Sequence, residues 1–111
     1  MKEEFRRKAP RRRFNGQVGV LYKGRMTITL CSQLGEGGAL ISSDHLLEPV
    51  QKGESMVVTI FLPNIGGVVA PATCVYRSDS DHIGLQFEVL ETKYKVKVRE
   101  FVSRRKSIEV A

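Results

Sequence analysis

Gln17-Val18-Gly19-Val20-Leu21-Tyr22, Lys23-Gly24 and Arg25-Met26-Thr27-Ile28-Thr29-Leu30-Cys31 together decide the fold. The last run alternates Met26, Ile28 and Leu30 with Thr27, Thr29 and Cys31, the period of two of a β-strand, and it is rich in β-branched residues. Lys23-Gly24 is a turn between two such runs, so the stretch reads as a hairpin. The same pattern continues downstream. Gly37–Ser42 is a short third strand, and Pro49 and Gly53 punctuate the connection that follows it. Ser55–Leu62 is a fourth strand, and the turn cluster Pro63-Asn64-Ile65-Gly66-Gly67 leads back into a fifth over Val68–Tyr76. Pro71, inside that run, marks an edge or a bulge. Ser78-Asp79-Ser80-Asp81 turns the chain into a sixth strand, His82–Val89.

Six strands with no helical pattern between them predict an all-β domain. The expected form is a six-stranded antiparallel β-barrel of split-barrel type, because closure removes the exposed edges of so small a sheet. After Leu90 the period changes. Tyr94, Val98, Phe101 and Val102 fall at i, i+4, i+7 and i+8, with Lys93, Lys95, Lys97, Arg99 and Glu100 between them. This spacing predicts a C-terminal α-helix over about 91–105 that packs its apolar stripe on the barrel. The expected organisation is a flexible basic arm over 1–13, barrel plus helix over 14–105, and a tail over 106–111.

The chain has 111 residues, 41% hydrophobic and 27% charged, with Lys+Arg 18 against Asp+Glu 12. That supports one domain and argues against wholesale disorder. No apolar run approaches the ~20 residues of a membrane-spanning helix, and the basic start leads into no apolar segment, so a cytoplasmic protein without a membrane span is expected. The charge is uneven. Residues 1–13 carry a net +5, residues 91–111 a net +4 and the stretch between them a net −3. A mildly acidic body with basic ends points to an anionic partner met at the ends.

Catalysis finds little support. His45 and His82 lie in separate segments, and Cys31 and Cys74 form neither a disulfide framework nor a metal knuckle. Ser42-Ser43-Asp44-His45 holds the residue types of a catalytic triad, but sequence neighbours do not converge as a triad does. Gly35-Glu36-Gly37-Gly38 lacks the Lys-Ser/Thr and the following helix of a phosphate loop. No enzyme, cofactor or metal site is expected.

Arg6-Arg7-Lys8-Ala9-Pro10-Arg11-Arg12-Arg13 is the informative segment. Pro10 steers Ala9 away from helix, so the segment is extended or turned. Five arginines in eight residues favour a role specific to Arg. The guanidinium fork bridges phosphate oxygens, reads the O6/N7 edge of guanine and stacks on purines.

Three motifs resemble, in order, those of the PilZ domain family of bacterial cyclic di-GMP receptors. The family's R-x-x-x-R before the first strand is matched by Arg7-Lys8-Ala9-Pro10-Arg11. Its [D/N]-x-S-x-x-G at the third strand corresponds to Gln33-Leu34-Gly35-Glu36-Gly37-Gly38, followed by Ala39-Leu40-Ile41. Its closing strand with G-x-x-F is similar to Ile83-Gly84-Leu85-Gln86-Phe87. The second motif departs from the pattern, with Gln33 for the acidic residue or Asn and Gly35 for Ser. A shifted frame on Ser32 and Gly35 leaves Leu30 at the polar position. The glycines of this motif also have a purely conformational reading, as a turn admitting positive φ.

The resemblance implies a barrel that binds cyclic di-GMP between the arm and the second motif. Arg7 and Arg11 would take phosphate and the guanine Hoogsteen edge, Arg6 and Arg12 would assist, and Gln33, Gly35 and Gly38 would shape the pocket floor. The implied output is regulatory: ligand orders the arm and alters a surface for an effector protein of motility, biofilm or secretion machinery. Two alternatives stand beside it. One is a PilZ-fold adaptor that acts by protein–protein contact without nucleotide. The other is a small RNA- or DNA-binding barrel, disfavoured because no exposed aromatic stacking platform is evident.

Overall fold

A computed structural model describes residues 11–78 and 81–104. The elements are β1 (Arg11–Tyr22), β2 (Arg25–Gly35), β3 (Gly38–Ser42), β4 (Ser55–Leu62), β5 (Gly66–Arg77), β6 (His82–Phe87) and α1 (Thr92–Ser103). A single 3-10 turn, His45–Leu47, interrupts the long β3–β4 connection. The strands close in the order β1-β2-β3-β6-β5-β4, antiparallel throughout. The protein is therefore a closed six-stranded barrel with one C-terminal helix. None of its described helices is long and apolar enough to cross a membrane.

Local chemistry explains the tight turns. Lys23 (φ 51°) and Gly24 (φ 79°) both lie in the left-handed region, as a two-residue hairpin between paired Tyr22 and Arg25 requires. Pro71 pairs with Val57 of β4, and its carbonyl accepts from the Glu88 N–H at 2.8 Å. In an antiparallel ladder a residue's N–H and C=O point to the same side. The missing proline N–H therefore falls on the β6 side, just past Phe87 where β6 ends, and Pro71 sits at a local edge.

The interior is filled by alternate residues. Met56, Val58 and Ile60 of β4 stand opposite Ala72, Ala70 and Val68 of β5, so large and small side chains interlock in the narrow barrel. Ile83, Leu85 and Phe87 supply β6. Two of the three bulges in the ladder have a buried cysteine beside them. Cys31 and Cys74 each donate to the carbonyl two residues on, Gln33 at 3.3 Å and Tyr76 at 3.6 Å, where β2 and β5 each carry one extra residue. The sulfhydryls thus help satisfy carbonyls at the bulges. Burial pushes the Cys31 thiol up to about 12, so it stays protonated.

Each end of the barrel has its own plug. At the end holding the β1–β2 hairpin, buried Leu47 and Val50 close the opening. Asp44 caps the 3-10 turn by accepting from the Leu46 and Leu47 N–H groups at 3.0 and 3.2 Å. Arg77 pins the same connection through the carbonyls of Leu47 and Val50 (3.1 and 3.2 Å) and the Ser43 hydroxyl (3.0 Å). At the opposite end α1 lays Val98, Phe101 and Val102 on the core, with Tyr94 partly buried beside them. That is the stripe the helical spacing predicts.

One strand face is turned the other way from common practice. An apolar alternation usually marks the buried side of a strand. In β2 the side chains of Met26, Ile28 and Leu30 are 59%, 63% and 49% exposed, while Cys31 and Leu34 face the core.

Two boundary shifts bear on the site, while β5, β6 and α1 differ from expectation by one or two residues at their ends. β1 begins at Arg11 rather than near Gln17, so Arg11, Arg12 and Arg13 belong to the sheet and not to the expected arm. The reason is a ladder partner: Arg11, Arg12 and Arg13 pair with Gly35, Leu34 and Gln33. β2 correspondingly runs on past Cys31 to Gly35. Residues 1–10 of the expected arm and the tail over 106–111 lie outside the described residues.

Gly38 lies tight against the β6 backbone. A Cβ there would meet the Leu85 carbonyl oxygen at 1.9 Å, and backbone cannot move aside cheaply. Gly38→Ala is expected to lower stability by about 1–3 kcal/mol, read from the urea midpoint at constant m-value.

Tyr22 donates to Glu54 at 2.6 Å, and Lys23 lies 3.5 Å from the same carboxylate. The Tyr22 hydrogen bond leads in holding Glu54 below its ordinary 4.5, and Glu54 holds Tyr22 above 10.0 and Lys23 above 10.5. The Glu54 contribution is complete above pH 4.5 and is lost as pH falls through its lowered value. Those of Tyr22 and Lys23 are complete below about pH 10 and are lost as pH rises through their raised values. Stability should therefore fall on both flanks. Tyr22→Phe should flatten both limbs in a pH series of thermal melts, and an unchanged profile would count against this cluster.

Candidate ligand-binding site

The first signature reaches the structure at the start of β1. Between Arg13 and Gly16 the ladder with β2 slips by one residue, leaving a bulge at Phe14 and Asn15. Such a bulge bends the strand and re-aims what precedes it. Phe14 folds back over Gly16 and meets Phe101 of α1 edge-on, with ring centroids 4.6 Å apart. The helix thus braces the bulge from below.

Alternation across the Arg11–Arg13 segment divides the arginines. Arg11 stands opposite Gly35 and Arg13 opposite Gln33, so these four residues share the outer face of the β1–β2 ribbon. Arg12 stands opposite Leu34, which is fully buried, and so faces inward. Its guanidinium lies over the Phe101 ring, 4.1 Å from the centroid, and donates to the Phe101 carbonyl at 3.1 Å. A stacked arginine of this kind contributes about 0.5–1 kcal/mol at a partly exposed position.

A second tie joins the same ribbon to the helix. Arg99 of α1 donates to Glu36, in the β2–β3 turn, at 2.9 Å. Through Phe101 and Arg99, α1 touches both segments that carry the signatures. Lys97 adds a third tie at that end, donating to the Gly67 carbonyl at 3.3 Å.

The sequence-predicted residues fall out as follows. Arg11, Gln33 and Gly35 come together on one face. Arg12 is near them in the chain but engaged with α1 on the other side. Gly38 lies on β3 opposite Gln86, and the close approach of the Leu85 carbonyl accounts for it without a ligand. Arg6 and Arg7 lie outside the described residues. The positive-φ reading of the second motif does not hold: among the glycines, positive φ belongs to Gly24, Gly53 and Gly66. Gly35 is ordinary strand backbone, so a serine there meets no backbone objection.

Arg13 was missed by the sequence reading. It is exposed and stands across from Gln33 on the face of Arg11. The i, i+2 spacing of Arg11 and Arg13 is the signal that finds it once β1 is extended back to Arg11.

What this face offers is cationic donors and an amide, with no nucleophile beside them. His82 begins β6 and His45 begins the 3-10 turn, both at the far end of the barrel, and the two cysteines are buried. Among the described residues, no three of His, Cys, Asp and Glu gather closely enough to hold a metal ion. Planar donors on a strand ribbon suit a phosphate-bearing or purine ligand.

Comparison with known proteins places this geometry. Comparison with the curated proteins finds no match. Among solved structures, the chain is similar to the Bacillus subtilis inhibitor of motility MotI/DgrA, with 19% identity, TM-score 0.80, and 94% of this chain and 53% of that one covered. It is similar to the PilZ domain of Escherichia coli YcgR, solved with c-di-GMP, with 11% identity, TM-score 0.72, and 94% and 98% of the two chains covered. It also resembles K. pneumonia MrkH in its c-di-GMP complex, with 14% identity, TM-score 0.75, and 94% and 54% covered. The chain thus spans about half the length of MotI and MrkH. At these identities the likeness is one of fold. The model of the PilZ domain matches residues 5–104, nearly the whole chain, and takes in both the arginine segment and α1. The chain belongs to the PilZ domain family.

Proposed function

We propose that this chain is a regulatory domain that binds cyclic di-GMP on the outer face of the β1–β2 ribbon. The observation that carries the reading is the placement of Arg11 and Arg13 directly across from Gly35 and Gln33. Arg11, the last residue of the first motif, meets Gly35 and Gln33 of the second there on one face, with arginines supplied for phosphate and guanine. The c-di-GMP bound by YcgR and MrkH supports the choice of ligand by analogy of fold.

In this reading Arg11 and Arg13 contact phosphate and the guanine O6/N7 edge from the ribbon, and Arg7 and Arg6 close over the ligand from the preceding segment. Gln33 accepts from a guanine N–H, and Gly35 leaves room at the pocket floor. Binding pulls on the strand that holds Arg12, and Arg12 is held by Phe101. Ligand therefore biases the seating of α1, and the altered helix surface is what an effector protein reads. The role needs no bond making, so the domain acts as a binding module and not as an enzyme.

One observation favours a second reading, the nucleotide-free adaptor. Gln33 and Gly35 stand where the family pattern has an acidic residue or Asn and a Ser. Loss of the serine hydroxyl removes a neutral contact worth about 0.5–1.5 kcal/mol, against about 1.5–3 kcal/mol for each charge-assisted arginine contact. The arginine contacts outweigh the loss, and nucleotide binding is the stronger reading.

Calorimetric titration with cyclic di-GMP, with GMP as control, tests this directly. Arg7→Ala, Arg11→Ala and Arg13→Ala should each weaken binding about tenfold to a hundredfold with little change in melting temperature. Arg12→Ala should do the reverse, lowering the melting temperature while changing affinity by less than about threefold. The double variant Gln33→Asp/Gly35→Ser should tighten binding. If the wild type fails to bind and the double variant binds, the adaptor reading replaces this one. If neither binds, the nucleotide reading falls.

A further inference from the structure

Most exposed apolar side chains of the barrel gather on one wall, on the hairpin side of Arg11 and Arg13. In one row of the ladder Met26 stands beside Leu21, and Leu21 beside Val57. In the next row Ile28 stands beside Gly19, Gly19 beside Thr59, and Thr59 beside Val69. Leu30 and Phe61, each 49% exposed, extend the wall one row further. The strands β2, β1, β4 and β5 thus present a largely apolar surface that takes in Thr59 and Gln17, with Ile28, 63% exposed, in its middle row on β2. None of these side chains serves the barrel core, which the opposite face of each strand fills.

Area and charge indicate what covers it. With roughly 60–100 Å² showing on each large side chain, the wall offers on the order of 500–700 Å² of apolar surface. That is at or above the largest patch ordinarily left on a monomer, and with a polar rim it reaches the ~800 Å² per partner of a stable interface. Among the described residues no charged side chain interrupts it. Lys23 and Arg25 border the hairpin end. At the other end the bordering residues are Gln17, Pro63 and Asn64, and β1 next carries a charge at Arg13, four residues on and past the bulge. A surface that is apolar and without its own charge pattern matches a copy of itself. A two-fold interface requires that match, because the same patch must serve both sides.

We propose that this wall is a homodimer interface. Two copies pack their β2–β1–β4 faces together about an axis near Ile28 and Gly19. The strands of the two copies run so that the Lys23 and Arg25 end of one meets the uncharged Gln17 and Asn64 end of the other. The opposite register would set Arg25 against Arg25 and is repelled. The arrangement leaves the ribbon face and α1 of both copies open, so the dimer displays two such sites. It does not depend on what those sites bind.

Sedimentation velocity of the full chain up to about 100 μM tests the proposal, with Ile28→Glu and Met26→Lys as variants. Both positions are exposed, so circular dichroism and thermal melts should report folded proteins. The wild type should sediment at twice the 12.5 kDa of one chain, and each variant should shift to one chain. Because the contact is apolar, 1 M salt should leave the wild-type dimer intact. A wild type that sediments as a single chain throughout, a dimer that survives both substitutions, or one that dissociates in salt would each overturn it.

Discussion

Three backbone pairs, Arg11 with Gly35, Arg12 with Leu34 and Arg13 with Gln33, underlie the proposed function of this barrel. A strand has only two faces, so three consecutive arginines held in a ladder cannot all do the same thing. Two are displayed outward beside the second signature, and the third is driven inward onto Phe101. The bulge at Phe14 and Asn15 allows this division without disturbing the core, because it absorbs the register change before the strand enters the regular barrel at Gly16. The proposed ligand face and a contact with the helix thus come from one short piece of sequence.

The two ends of the barrel are not equivalent, and the difference follows from what plugs them. The hairpin end is closed by a loop that is tied internally by Asp44, Arg77 and backbone bonds. Its polar groups are satisfied locally. The other end is closed by α1, a helix without a side-chain N-cap. It is held by apolar packing and by a few exposed or partly exposed cationic contacts: Arg12 to Phe101, Arg99 to Glu36 and Lys97 to Gly67. Contacts of that sort are individually weak and can be exchanged. The end that carries the proposed ligand face is therefore also the end with the more readily exchanged contacts.

Much of this was legible in the sequence, for identifiable reasons. The alternation of Met26 to Cys31, the Lys23-Gly24 turn and the i, i+4, i+7 spacing of Tyr94, Val98 and Phe101 are local signals, and the barrel and helix follow from them. The start of β1 was not legible, because Arg11-Arg12-Arg13 carries no apolar alternation and its strand state depends on a partner 20 to 24 residues away. That missing strand concealed Arg13 and gave Arg12 a role beside the ligand that its inward face does not favour. The reason for Gly38 was hidden too, since a clash with the Leu85 carbonyl depends on β6. The outward turn of Met26, Ile28 and Leu30 was beyond periodicity altogether: a period of two says that faces differ, not which one the core takes.

The central claim is that ligand bound on the outer ribbon is felt at the helix through Arg12. Amide chemical-shift mapping during titration with cyclic di-GMP tests it most directly. The account predicts shifts at Arg11, Arg13, Gln33 and Gly35, together with shifts at Phe101 and its neighbours in α1 that vanish in Arg12→Ala while the ribbon shifts remain. Ribbon shifts with a silent α1 in the wild type, or shifts centred away from β1 and β2, would contradict it.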